Sequence, residues 1–315
     1  QGRLNRTLEG LPDDARIDEL AKAQDGLTRP EISVLLAYSK MRWFDQLMDA
    51  DIGNDSYLAH SLEDYFPKVL SQKYAPAIAT HPLRSEIIAT HVTNQIGNRM
   101  GATFGDYLQE DMGAQAGDIA RAFTAACDII DAKSLWSELD RVTLILDYKQ
   151  SMALHTNVQY LLEDLTLWLL STHQGEPIQT MVDLYKEPMA IYYAALGDLL
   201  PQAVSQRIDT NADELSANGM ESNTSRRLSL LDFLYHGLDV VQVANQCGTQ
   251  VIATAQTWYG LYERFEGDWL NQAIANWPSQ DPWQRKAKIS LKQEFEDSLA
   301  KLTQAVISSD QNPAW

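Results

Sequence analysis

Residues 27–51 read LTRPEISVLLAYSKMRWFDQLMDAD, and this stretch decides the fold class. Thr28-Arg29-Pro30-Glu31 sets a hydroxyl N-cap, a first-turn proline and a reach-back glutamate in capping-box order. The proline costs nothing there, because first-turn amides have no intrahelical acceptor. After it, Ile32, Leu35, Leu36, Trp43, Leu47 and Met48 recur at helical spacing, which predicts a helix to about Ala50. Gly53 and Asn54 then break the chain.

The same periodicity extends outward on both sides. It predicts helices over 56–65 (ended by Phe66-Pro67), 82–100 (with Gly101 as C-terminal cap), 116–130 and 144–170. A further helix over 178–200 is kinked or split at Pro188. Residues 209–225, DTNADELSANGMESNTS, are polar and turn-rich, and predict a loop or linker. From Arg226 the helical pattern resumes to about Val306, punctuated by Gly248, Gly267 and Trp277-Pro278. No run alternates convincingly with period two, and no fixed-period repeat or long heptad run occurs. The expected class is all-α, a multi-helix, bundle-like array that admits two lobes. Its expected organisation is a connecting segment over 1–27, a helical lobe over 28–208, the polar loop over 209–225 and a C-terminal helical lobe over 226–315.

Composition narrows the function. Forty-three acidic against 25 basic residues give a formal charge of -18, which repels phosphate backbones and anionic lipid, so neither nucleic acid nor membrane is an expected partner. The longest uncharged stretch, 240–262, carries five amide side chains and Gly248, too polar for a transmembrane helix. Cys127 and Cys247 are the only cysteines, fit neither a zinc site nor a redox motif, and read as small hydrophobes in a reducing cytoplasm. Gln1 is not an initiating residue, so the chain is expected to be a piece of a longer protein.

Motifs that carry chemistry are missing. No histidine lies in HExxH or has a cysteine at ligand spacing, and His60 and His236 read as hydrogen-bonded, partly buried rings. GxGxxG and GK[ST] are absent; Gly97, Gly101 and Gly105 read as a cap and turn between helices rather than a close helix approach. Residues 243–248 and the next helix have helix-turn-helix spacing, but no basic residue lies between Asp239 and Arg264 to read DNA. Glu163/Asp164 and Glu296/Asp297 are adjacent on helices, about 100° apart, and read as solvated faces rather than carboxylate dyads. No catalytic, cofactor-binding or metal-binding residue is therefore assigned.

The C-terminal quarter holds Trp258, Trp269, Trp277, Trp283 and Trp315, five of eight tryptophans. Its last helix carries an apolar stripe (Leu291, Phe295, Leu299, Leu302, Val306) and begins with Arg285, Lys286 and Lys288. Together these predict a contact surface for the rest of a larger protein.

Several stretches share a resemblance. Residues 27–51, Tyr65-Phe66-Pro67, LRSEIIATHVTNQIGNRMG (83–101), LDFLYHGLDVVQVANQCG (231–248) and GLYERFEGDWLNQAI (260–274) resemble the helical C-terminal region of the large bacterial NAD-specific glutamate dehydrogenases. Over 178–225 no such likeness is evident. The resemblance implies a cytoplasmic parent enzyme that oxidises L-glutamate to 2-oxoglutarate and ammonium with NAD, its catalytic residues and cofactor site lying upstream. It also implies a catalytic domain on the same chain as partner, and homo-oligomers. This region itself would hold no cofactor. The rival reading is a free-standing helical adaptor.

Overall fold

The computed structural model describes residues 4–277 and 282–309, and among these every regular element is helical. In chain order they are α1 (Asp14–Ala23), α2 (Arg29–Asp49), a 3-10 turn (Ile52–Asn54), α3 (Ala59–Tyr65), α4 (Lys68–Ala79), α5 (Arg84–Arg99) and α6 (Phe104–Met112). They continue as α7 (Ala116–Ile129), α8 (Ala132–Val142), α9 (Tyr148–Thr172), α10 (Ile178–Leu199), α11 (Gln202–Ala217) and α12 (Ser222–Ser229). The chain closes with α13 (Leu231–Leu234), α14 (Gly237–Cys247), α15 (Val251–Arg264), α16 (Gly267–Ala275) and α17 (Pro282–Ser308). The chain divides into two compact units, residues 1–124 with 166–178, and residues 125–165 with 179–315.

In the first unit α2 is the organising element. Its start is fixed as the motif requires, for the Glu31 carboxylate accepts from the Thr28 N–H at 2.6 Å and from its hydroxyl at 2.7 Å. Trp43 and Leu47, on the far half of the stripe, are buried with Ile52, Ile88, Ile96, Phe104 and Leu108. The glycine series does more than cap. Gly101 has φ +92°, the left-handed turn expected past α5. Gly105, inside α6, is different: a Cβ there would sit 1.3 Å from the Trp43 ring. Its lack of a side chain is what lets the indole lie against α6. Gly97 likewise leaves room for the stem of Lys40, whose Nζ donates to Asn94 at 3.0 Å and Asn98 at 2.6 Å. The reading of this series as cap and turn holds for Gly101 and is corrected for the other two.

The second unit corrects the expected loop. Residues 209–217 continue α11, only 218–221 form the turn, and α12 follows at once. Val204, Ile208 and Ala212 are buried at four-residue spacing, an apolar stripe that begins before residue 209 and so escapes a window opened there. α11 packs on α12, and Arg226 bridges back to Asp209 at 2.8 Å. The whole polar stretch lies inside this unit, and the two units divide elsewhere.

Other differences are smaller. α10 runs through Pro188 as one helix rather than two. α9 begins at Tyr148, because 143–146 form a turn in which Ile145 and Leu146 both donate to the Val142 carbonyl. The long uncharged stretch is two helices, α14 and α15, separated at Gly248, whose φ of +63° ends α14. No helix of the described residues is long and apolar enough to cross a membrane. Pro278 and Trp315 lie outside the described residues, as do the side chains of His60 and Arg285.

Candidate functional site

The densest polar chemistry lies in the second unit, where α14, α15 and α17 pack together. His236, at the N-cap of α14, has its Nδ1 3.0 Å from Glu296 Oε2 on α17, with the two residues only 1% and 2% exposed. Helical spacing aims both side chains inward. Glu296 lies between Leu299 and Lys292 on the inner face of α17, and His236 lies beside Gly237, whose missing Cβ admits Met189 and Tyr192 of α10. At that separation the ring nitrogen and the carboxyl oxygen share one hydrogen bond, which gives each buried polar group a partner.

Aromatic rings enclose the pair. Tyr235, Trp258, Tyr259 and Tyr262 all have centroids 5.3–6.3 Å from the His236 ring. Their hydroxyls form directed chains. Tyr192 donates to the Phe233 carbonyl at 2.7 Å, so its single proton is committed and Tyr259, 2.6 Å away, must donate to Tyr192. Asn271 donates to the Tyr262 hydroxyl, which points at Asp268. Burial pushes Tyr192, Tyr259 and Tyr262 well above the usual phenol range. They stay neutral at any physiological pH and act as hydrogen-bond groups, not as bases.

At the edge of the cluster, Lys292 pairs with Asp164 on α9 and lies 3.9 Å over the Tyr235 ring. Beside it, burial raises the Glu163 carboxyl to about 7, with the neighbouring Asp164 adding to the effect and Lys292 opposing it. Asp164 is also raised by burial, against the pull of Lys292. The reading of these acidic pairs as solvated faces is therefore corrected. Asp297 is exposed as expected, but Glu296 is buried, and Glu163 and Asp164 are half-buried. Sequence spacing places adjacent carboxylates on different faces; it does not say that one face is the core.

The cluster is enclosed by packed side chains. Its imidazole and carboxylate are shielded by rings, so it joins three helices by polar and aromatic contacts where most of the core is apolar. His236 thus matches the expectation of a hydrogen-bonded ring in the interior. Among the described residues no three histidine, cysteine, aspartate or glutamate side chains group in a way that could hold a metal ion. Cys127 is buried and its thiol is pushed well above its ordinary value by that burial, so it behaves as a small apolar side chain, whereas Cys247 is half-buried.

The other C-terminal features split. Trp258 is core, whereas Trp269, Trp277 and Trp283 are exposed. Lys288 donates to the Ala275 carbonyl at 2.7 Å, joining α17 to the end of α16, and so is part of the fold rather than a free basic patch. The buried face of α17 is Glu296, Leu299 and Thr303, with Phe295 half-buried; Leu291 and Leu302 of the expected stripe point outward.

Among the described residues the chain is a helical array whose densest polar cluster lies enclosed between packed helices. Comparison with known proteins gives the family. The model described as "Glutamate dehydrogenase, C-terminal" matches residues 24–314, and the chain belongs to that family. Proteins called NAD-specific glutamate dehydrogenase are similar along nearly its whole length. The one from Halomonas elongata is 26% identical over 312 residues, covering 99% of this chain and 19% of its own. That of Pseudomonas aeruginosa is 25% identical, with 99% and 19% covered. The Mycobacterium tuberculosis protein is 24% identical, with 95% and 18% covered. The chain thus spans about a fifth of the length of these relatives.

Proposed function

We propose that this chain is the non-catalytic, C-terminal helical region of a cytoplasmic NAD-dependent glutamate dehydrogenase. In this reading the parent chain converts L-glutamate, with NAD, to 2-oxoglutarate and ammonium. The helical region packs against the catalytic domain of the same chain and supports a homo-oligomer. The observation that carries the reading is the family match over 24–314, joined to similarity along nearly the whole chain with proteins five times its length. The exposed tryptophans of the C-terminal quarter support the assembly role, since large rigid rings are enriched where protein surfaces meet.

The test is to express the whole parent reading frame and follow glutamate-dependent NADH formation. The full chain is expected to turn over glutamate, whereas residues 1–315 alone give the no-enzyme rate. Truncation after Pro278 in the full chain should lower both turnover and assembled mass by light scattering. An intact reading frame with no dehydrogenase segment would favour the helical adaptor instead.

A further inference from the structure

The stripe on α2 is continuous in sequence but only half covered in the structure. Trp43 and Leu47 are buried, but toward the start of the helix cover thins: Leu36 on the same face is half-buried, and Ile32, three turns before Trp43, is 52% exposed, with Leu35 at the edge of the stripe exposed too. Immediately before it, α1 buries no residue, although it carries Ile17 and Leu20. Leu8 is 82% exposed, in a segment tethered to α2 by the Tyr38 hydroxyl donating to Glu9 at 2.6 Å.

A helix as short as α1, at 10 residues, is below the length of about 12–15 at which isolated helices become even marginal in water. Its caps are in order: Asp13 accepts from the Arg16 N–H, and Gln24 turns left-handed at the end. Local capping alone does not hold so short a helix. It needs burial, and among the described residues its own chain supplies little: Leu20 is half-buried and Ile17 exposed.

We infer that α1 and the first turns of α2 form one docking surface, and that its occupant is the upstream part of the same polypeptide. This rests on the parent-chain reading above. Two facts select that occupant over a second copy. The matched family begins at residue 24, so α1 lies outside it while still being covered by similarity to the longer proteins. The family is described as C-terminal, so the parent-chain reading puts the bulk of the parent polypeptide on the α1 side. A covalently attached partner is present at high effective concentration and needs only a modest apolar surface to dock. The partner face should be apolar, to cover Leu8, Ile17, Ile32 and Leu35.

Hydrogen exchange on the full parent chain tests this. Amides of 17–23 and 33–36 should be protected at least about tenfold beyond the level of the fraying termini. That protection should not depend on protein concentration. Ile17→Asp with Leu35→Asp should abolish it and raise exchange in one upstream peptide as well, leaving α5 and α14 protected. Ile32→Ser, a milder change, should lower it partially if the double variant fails to fold. Unprotected α1 amides in the unsubstituted full chain overturn the inference, as does protection that disappears on dilution, which would point to a second copy. Glutamate turnover without α1 protection refutes this surface but leaves the parent reading intact; α1 protection without turnover does the reverse.

Discussion

Replacing Glu163 by Gln removes a carboxyl that the fold holds at about 7 from an ordinary value of 4.5. The cause is loss of water around a half-buried side chain on α9, with Asp164 beside it. The folded value lies above the unfolded one, so below pH 4.5 the group is neutral in both states and costs nothing. Between pH 4.5 and about 7 the unfolded chain ionises while the folded protein keeps its proton, so stability falls across that window and levels off above it. The full displacement corresponds to about 3 kcal/mol; partial access of water to the carboxyl cuts this to about 1.5 kcal/mol. Glu163→Gln should therefore be closest to the parent protein below about pH 4 and gain on it to about 1.5 kcal/mol at pH 8. Urea unfolding at four pH values, with the slope unchanged between variants, measures the difference directly. Parallel stability curves across that range would falsify the reasoning, because a pH-independent difference means the carboxyl titrates alike in folded and unfolded chains.

Other expectations follow from single contacts. Gly105→Ala drives a methyl into the Trp43 ring and should cost about 2–4 kcal/mol, read as a fall in denaturant midpoint. Glu296→Ala strips a buried imidazole of its partner and should cost roughly 3 kcal/mol, while Glu296→Gln, which keeps a hydrogen-bond acceptor, should cost less. A shift in thermal midpoint no larger than that of an exposed substitution such as Asp297→Ala would contradict the buried pair. Limited proteolysis should spare 209–217 and cut first near Gly219, where φ is +92°; early cleavage at Asn211 would restore the loop reading.

The capping box at Thr28–Glu31 and the apolar spacing of the main helices were legible because they are local. A capping box needs four residues, and a helix face needs two turns, and both lie in contiguous sequence. The family was legible for a related reason: stretches such as 83–101 and 231–248 keep their residue order whatever they pack against. Where the reading failed, a local window met a non-local fact. The 209–225 segment looked like a loop because the stripe that anchors it starts at Val204, outside the window. Gly105 looked like a turn because Trp43, its reason, is sixty-two residues away.

The sequence by itself determined an all-helical chain, the caps that start and end several helices, and the family to which it belongs. Tertiary structure alone decided which carboxylates are core and which are surface. Periodicity reports the angle between side chains on one helix, but not which neighbouring helix covers which angle. Glu296 and Asp297 are adjacent, yet packing against α14 and α15 buries the first beside His236 and leaves the second in water. The same limit holds for α2, whose stripe is uniform in sequence. Only the positions of α5 and α6 show that its second half is covered, while Ile32 and Leu35 near its start stay exposed.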